Sequence, residues 1–257
     1  MPYADFDLTG RIAIVTGAGR GLGRGMAIAF AEAGAAVIAA DRSKVGVEET
    51  VDTIVKYGGA AHPVVFDAVS SEDCRRLVAE TVARHGTLDT IVVSHGVNQH
   101  GPAVEVEESQ WQETLAINLT GVFLCAQAAG RQMIAQGHGG SIILISSTAS
   151  TVGFDKLVAY GSAKGGVDQL CRQLAVEWGP HNIRVNAVNP GYTLNEMAET
   201  KTPHADPGLR DEVKQMTPLG RRATVAEIAG PVVFLASNAA SFISGVCLAV
   251  DGGYCAR

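Results

Sequence analysis

Residues 11–16, Arg-Ile-Ala-Ile-Val-Thr, form a short apolar run, and Gly17-Ala18-Gly19-Arg20-Gly21-Leu22-Gly23 follows without a break. A run rich in β-branched residues reads as a buried strand. Met26, Ala27, Phe30 and Ala31 then recur at helical spacing. A strand that turns through glycines into a helix leaves the chain few folds. The glycines let backbone approach a pyrophosphate without Cβ clashes. The helix N-terminus adds unpaired N–H groups and the positive end of its dipole. A glycine-rich turn that binds nothing is the alternative, and the rest of the chain weighs against it.

The alternation continues. Apolar runs at residues 36–40, 61–66, 88–94, 141–146, 183–189 and 245–250 read as six further strands. Helical pattern falls between them, over residues 71–84, 107–136 and 157–178. Thr224-Val225-Ala226-Glu227 fits a capping box that opens a last helix, to about residue 236. The pattern predicts an α/β fold, a doubly wound, seven-stranded parallel sheet of Rossmann type. No linker, repeat or low-complexity stretch divides the 257 residues, so residues 1–257 are expected to form a single domain. Ligands then sit beyond the C-terminal strand ends. Gly17, Asp41, Asp67, Ser94, Ser147 and Asn189 all lie at or just past such ends.

Asp41 closes the second strand, twenty residues after Gly21. An acidic residue there accepts hydrogen bonds from the adenosine ribose and repels a 2′-phosphate, which favours NAD over NADP. Arg20 and Arg42 pull the other way, since a guanidinium pairs with a 2′-phosphate. Asp41 as a cap for a helix starting near Ser43 is the bland alternative, and Asp67 has the same one.

Composition removes several classes. Net charge is −6 and no basic cluster stands out, so nucleic acid and anionic membranes are not expected as partners. The first residues lack the apolar stretch of a signal peptide, and no run of about 18 apolar residues suggests a membrane span. The five cysteines are odd in number and without paired spacing, which fits reduced thiols in a cytoplasmic protein. Seven histidines include no HxxxH or HxH pair, so no metal site is expected.

Tyr160 and Lys164 stand four residues apart, and Ser147 lies thirteen before the tyrosine. A helix brings i and i+4 onto one face. A free phenol titrates near pH ~10, and a nearby positive charge lowers that value. A base poised near neutrality needs about 4 kcal/mol from its surroundings, at ~1.4 kcal/mol per unit. Lys164 and an oxidised nicotinamide, also positive, are the candidate sources.

With these residues in hand, the chain resembles the short-chain dehydrogenase/reductase family from Leu8 to Tyr254. Thr16 to Gly23 resembles its TGxxxGxG motif, Asn118 its helix asparagine, and Asn189-Pro190-Gly191 its PG motif. Asp251-Gly252-Gly253-Tyr254 is similar to the family ending. The resemblance implies that Tyr160 is the acid/base and that Ser147 holds the substrate oxygen, with Ser146 as its rival. Lys164 then binds the nicotinamide ribose, and Asn118 holds a water that links Lys164 to solvent. Asn118 as a mere brace of neighbouring backbone is the alternative. Contacts to the cofactor are implied from Gly17, Arg20, Gly21, Leu22, Gly23, Asp41, Arg42, Asp67, Ala68, Ser94, Gly96, Pro190 and Gly191, besides Tyr160 and Lys164. Two positions depart from the pattern. Ser94-His95-Gly96 stands where Asn-Ala-Gly is usual, and the carboxamide-binding threonine is either Thr193 or replaced by Asn195.

The resemblance also implies a homotetramer, with residues such as Leu119, Val122, Phe123 and Ala126, and Val167, Leu170, Leu174 and Ala175, packing across a two-fold axis or inside the core. Candidate substrate residues are His95, Gln99, Thr148, Asp155 and Tyr192. Several donors and acceptors suit a polyhydroxylated small molecule, because each desolvated hydroxyl needs a partner. The expected activity is NAD-dependent hydride transfer between a secondary alcohol, such as a polyol, sugar alcohol or sugar acid, and its ketone. NADPH-dependent reduction of a 3-oxoacyl-carrier protein is the alternative, and a non-catalytic nucleotide-binding protein on the same fold is a remote one.

Overall fold

The computed structural model describes residues 6–194 and 213–256. Seven strands form one sheet: β1 (Ile12–Thr16), β2 (Ala36–Asp41), β3 (Ala60–Val65), β4 (Thr90–Val93), β5 (Gly140–Ile145), β6 (Ile183–Pro190) and β7 (Cys247–Val250). Their order is β3-β2-β1-β4-β5-β6-β7 and all pairings are parallel. Central strands β1 and β4 are buried throughout. A strand covered on both faces cannot alternate apolar and polar residues, which is why these runs are continuously apolar.

The helices are α1 (Gly21–Glu32), α2 (Lys44–Lys56), α3 (Ser71–His85), α4 (Glu108–Leu115), α5 (Gly121–Gln136), α6 (Val158–Trp178) and α7 (Val225–Ala236). One core packs α1, α2 and α7 against the sheet through Met26, Phe30, Val47, Ile54, Ile228 and Leu235. The other packs α3, α5 and α6 through Leu77, Val122, Met133, Val167 and Trp178. The helical pattern over 107–136 is not one helix. A π turn, Ala116–Thr120, separates α4 from α5. Such turns interrupt the i→i−4 ladder and recur at functional sites. Thr224 and Glu227 do form the capping box that opens α7.

Several residues offered for a two-fold contact lie in the chain's own core instead. Val122, Ala126, Val167, Leu174 and Ala175 are all buried there, and Leu119 packs over Gly166. No helix among the described residues is long and apolar enough to cross a membrane.

Candidate active site

Order reversal between β1 and β4 opens a crevice at the C-terminal strand ends. A cavity of about 770 Å³ fills it. Its floor is the turn after β1. Gly17 and Gly21 take φ +67° and +54°, where a Cβ is strained. A Cβ on Gly17 would also meet the backbone of Ser94 and His95 at 2.9 Å, and one on Gly23 would overlap the Gly17 carbonyl. Arg20, the N-cap of α1, supplies no side-chain cap, and the first turn holds no acid. The N–H groups there are left to a ligand, so this cradle fits a pyrophosphate.

Two supports of the turn escaped the sequence reading. Arg24 donates to the Gly19 carbonyl at 2.7 Å, to Thr50 at 3.1 Å and to Glu49 at 2.7 Å. Thr50 donates to the Ala18 carbonyl at 2.7 Å. One signal was present, since a cation in a helix's first turn opposes the dipole and needs another reason to be there.

Asp41 accepts from Gly19 N at 3.1 Å and from Ser43 N at 2.9 Å. Ser43, not Asp41, caps α2, and Ser70, not Asp67, caps α3. Both aspartates line the cavity with Ala68. Arg20 and Arg42 line it too, exposed and with no side-chain hydrogen bond or ion pair among the described residues.

Ser147, Tyr160 and Lys164 meet at the far end, beyond β5. Lys164 is 3% exposed and Tyr160 9%. The ammonium donates to the Ile145 carbonyl at 2.8 Å and lies 5.6 Å from the phenol ring centroid. Burial pulls Lys164 down to about 8, while the Asp168 carboxylate pushes it back up. In the chain alone the phenol is not lowered as expected. Burial pushes Tyr160 above its ordinary value, and its hydrogen bond with Ser147 only partly opposes this. Ser146 also lines the cavity, and its hydroxyl donates to the Lys164 carbonyl at 3.2 Å, as a satisfied strand-end hydroxyl.

Asn118 sits fully buried in the π turn. Its amide donates to the Val97 and Thr114 carbonyls at 2.9 and 3.1 Å, and its oxygen accepts from Val97 N at 3.2 Å. Its side chain thus does the bracing that was the bland alternative, directly behind Gly96, whose Cβ would lie 2.7 Å from the Asn118 oxygen.

His95, the departure from the family pattern, lines the same cavity. Thr16 Oγ1 accepts from Ser94 N at 3.0 Å and pairs with His95 Nδ1 at 3.0 Å. Burial, and then the Lys164 charge, hold this imidazole down to about 3, so it stays neutral.

Leu22, Pro190, Gly191 and Thr193 complete the cofactor side, with Ser94 and Gly96. Thr193 donates to the Gly191 carbonyl at 3.0 Å, and Asn195 lies outside the described residues. Thr148, Asp155 and Tyr192 line the substrate side. Gln99 does not line the cavity. Its amide is bound to Glu113 at 2.8 Å and Thr114 at 3.3 Å. Phe154, Glu113, His100 and Arg222 line the cavity as well. Phe154 stacks on Tyr254 at 5.4 Å, and Tyr192 meets both rings edge-on.

This constellation defines an oxidoreductase built around a dinucleotide crevice, and comparison with known proteins agrees. Residues 17–255 match the family model described as "Enoyl-(Acyl carrier protein) reductase". D-threitol dehydrogenase of Mycolicibacterium smegmatis is 39% identical, over 97% of this chain and 95% of its own. A short-chain type dehydrogenase/reductase from Mycobacterium marinum superposes with TM-score 0.92 at 36% identity, covering 97% of each chain. The gluconate 5-dehydrogenase of Burkholderia cenocepacia J2315, solved with NADP and tartrate, gives 0.93 at 35% identity over 99% and 98%. The chain belongs to the short-chain dehydrogenase/reductase family. It is an oxidoreductase of CH–OH groups that uses a pyridine nucleotide.

Proposed function

We propose that this protein is an NAD-linked dehydrogenase of a small polyol, sugar alcohol or sugar acid. The observation that carries this is one cavity that joins the glycine cradle and Asp41 to Ser147, Tyr160 and Lys164. When bound, the nicotinamide accepts the hydride from the carbinol carbon. Tyr160 takes the hydroxyl proton, Ser147 fixes the substrate oxygen beside it, and Lys164 holds a positive charge near the phenol. That charge, with the cationic ring, opposes the upward pull of burial on Tyr160. Asp41 would accept from the adenosine ribose hydroxyls, since each of its oxygens retains a lone pair beyond the backbone donor it serves.

Hydroxyl-matching groups on the substrate side, among them Thr148, Asp155, His100 and Glu113, support a polyhydroxylated substrate. The names of the threitol and gluconate relatives point the same way. The net charge of −6 offers little to an acidic carrier protein. The test is initial rates of NAD⁺ and NADP⁺ reduction against threitol, galactitol, glycerol, gluconate and simple secondary alcohols. Turnover of a polyol or aldonate with NAD⁺ is expected. No oxidation, with NADPH-dependent reduction of a 3-oxoacyl thioester, would replace this reading with the acyl one.

Cofactor choice has its own test. Asp41→Ser is expected to raise the NADP⁺/NAD⁺ ratio of kcat/KM at least about tenfold, because it leaves Arg20 and Arg42 facing a 2′-phosphate without an opposing carboxylate. An unchanged ratio would remove Asp41 from the choice.

A further inference from the structure

Asp168 is a buried carboxylate that the reaction as described does not use. It is 5% exposed and lies one turn past Lys164 on the inner face of α6, so Tyr160, Lys164 and Asp168 form one stripe. Buried carboxylates are uncommon without compensation. Here Asp168 Oδ2 accepts from Asn189 Nδ2 at 2.9 Å. The same amide donates to Ser150 Oγ at 2.8 Å, and Ser150 Oγ donates to the Ser147 carbonyl at 2.6 Å. A chain of side chains therefore runs from the carboxylate, across the end of β6, to the backbone of Ser147. Asp168 Oδ1 has no donor among the described residues, so much of its charge is left to act through space.

We propose that Asp168 is a positioning residue for catalysis: through Asn189 and Ser150 it fixes the turn that carries Ser147, and one helical turn past Lys164 it sets a buried negative charge beside that ammonium. This rests on the dehydrogenase reading above. The two effects separate by substitution. Asp168→Asn keeps an acceptor for Asn189 and removes the charge. Asn189→Ala and Ser150→Ala keep the charge and break the chain.

The groups that face Lys164 are Tyr160 and Asp168 on α6 and neutral His95 after β4. Those near Asp168 are Lys164, Cys171 and Arg172 on α6 and Cys247 on β7. A carboxylate raises the lysine's pKa, so removing it lowers that value from about 8. The ammonium is then lost at lower pH.

The experiment measures pH profiles of kcat and kcat/KM from pH 6 to 10, using NAD⁺ and whichever of threitol, galactitol or gluconate the wild type oxidises fastest. Tyr160→Phe runs in parallel. Asp168→Asn is expected to move the alkaline loss of rate down by about one pH unit, with kcat at pH 8 reduced about tenfold. Asn189→Ala and Ser150→Ala are expected to lower kcat at least threefold without moving the profile. A profile and kcat for Asp168→Asn that superpose on the wild type, while Tyr160→Phe is silent, would overturn the role of Asp168 and leave the dehydrogenase reading standing. A fully active Tyr160→Phe would end both. Should Asp168→Asn fail to fold, wild-type kcat in both Asn189→Ala and Ser150→Ala overturns the proposal.

Discussion

Tyr160→Phe is expected to lower kcat by about 10²–10⁴-fold, the range that a positioned acid or base contributes, while cofactor still binds. The aromatic ring fills the same buried space, so the core around α6 loses no volume. What disappears is the oxygen that Ser147 hydrogen-bonds and that the substrate hydroxyl must reach. Stopped-flow oxidation rates, with NAD⁺ affinity read from the quenching of protein fluorescence, check both halves. A rate within a few fold of the wild type would sink the assignment of Tyr160. Equal loss of rate and of cofactor affinity would make the phenol a binding group, not a proton acceptor.

Gly23→Ala attacks the other end of the cavity and is expected to abolish cofactor binding in the micromolar range. The added methyl would overlap the Gly17 carbonyl. Neither backbone can yield easily. Gly17 already holds a positive φ, and its own open face is closed by Ser94 and His95. Either the turn opens or α1 lifts from β1. A rise of at least ~100-fold in Kd corresponds to about 2.7 kcal/mol. Overpacking of a tight site adds about 1–3 kcal/mol of lost stability, read as roughly 2–4 °C of Tm per kcal/mol in a chain of this size. Titration with NAD⁺ and NADP⁺, together with a melting curve, checks it. Unchanged affinity would mean that the phosphates do not sit on this turn.

Much of this architecture was legible because parallel strands bury both faces and so announce themselves as unbroken apolar runs. β1, β2, β5 and β6 fall within a residue or so of their expected bounds. The π turn at Ala116–Thr120 was not legible. Residues 107–120 hold no proline and no glycine, so the pattern reads as one helix. The pattern marks only the start of α2, whose buried Val47, Thr50 and Ile54 are diluted by charged neighbours. At the site, spacing brought Tyr160 and Lys164 together, but it did not reveal which way a side chain faces. Asn118 carries all its side-chain bonds to backbone, and Gln99 is held by its neighbours. Nor did spacing set the phenol's environment, because burial depends on what the whole fold stacks above Tyr160. Asp168 was hidden for a simpler reason. An aspartate in a helix ordinarily faces water.

Strand order also has a bearing on how the protein comes to be folded. β1 pairs with β2, which follows it closely, and with β4, whose first residue is Thr90. The hydroxyl of Thr16 bonds to Ser94 and His95, just past the strand that arrives late. During synthesis the β1–β3 half is free to assemble alone, but the seam beside the glycine turn stays open until β4 has been made. Ligand-binding competence is therefore a property of the closed seam and not of the nascent N-terminal half, and a truncated chain ending before β4 has no means of acquiring it.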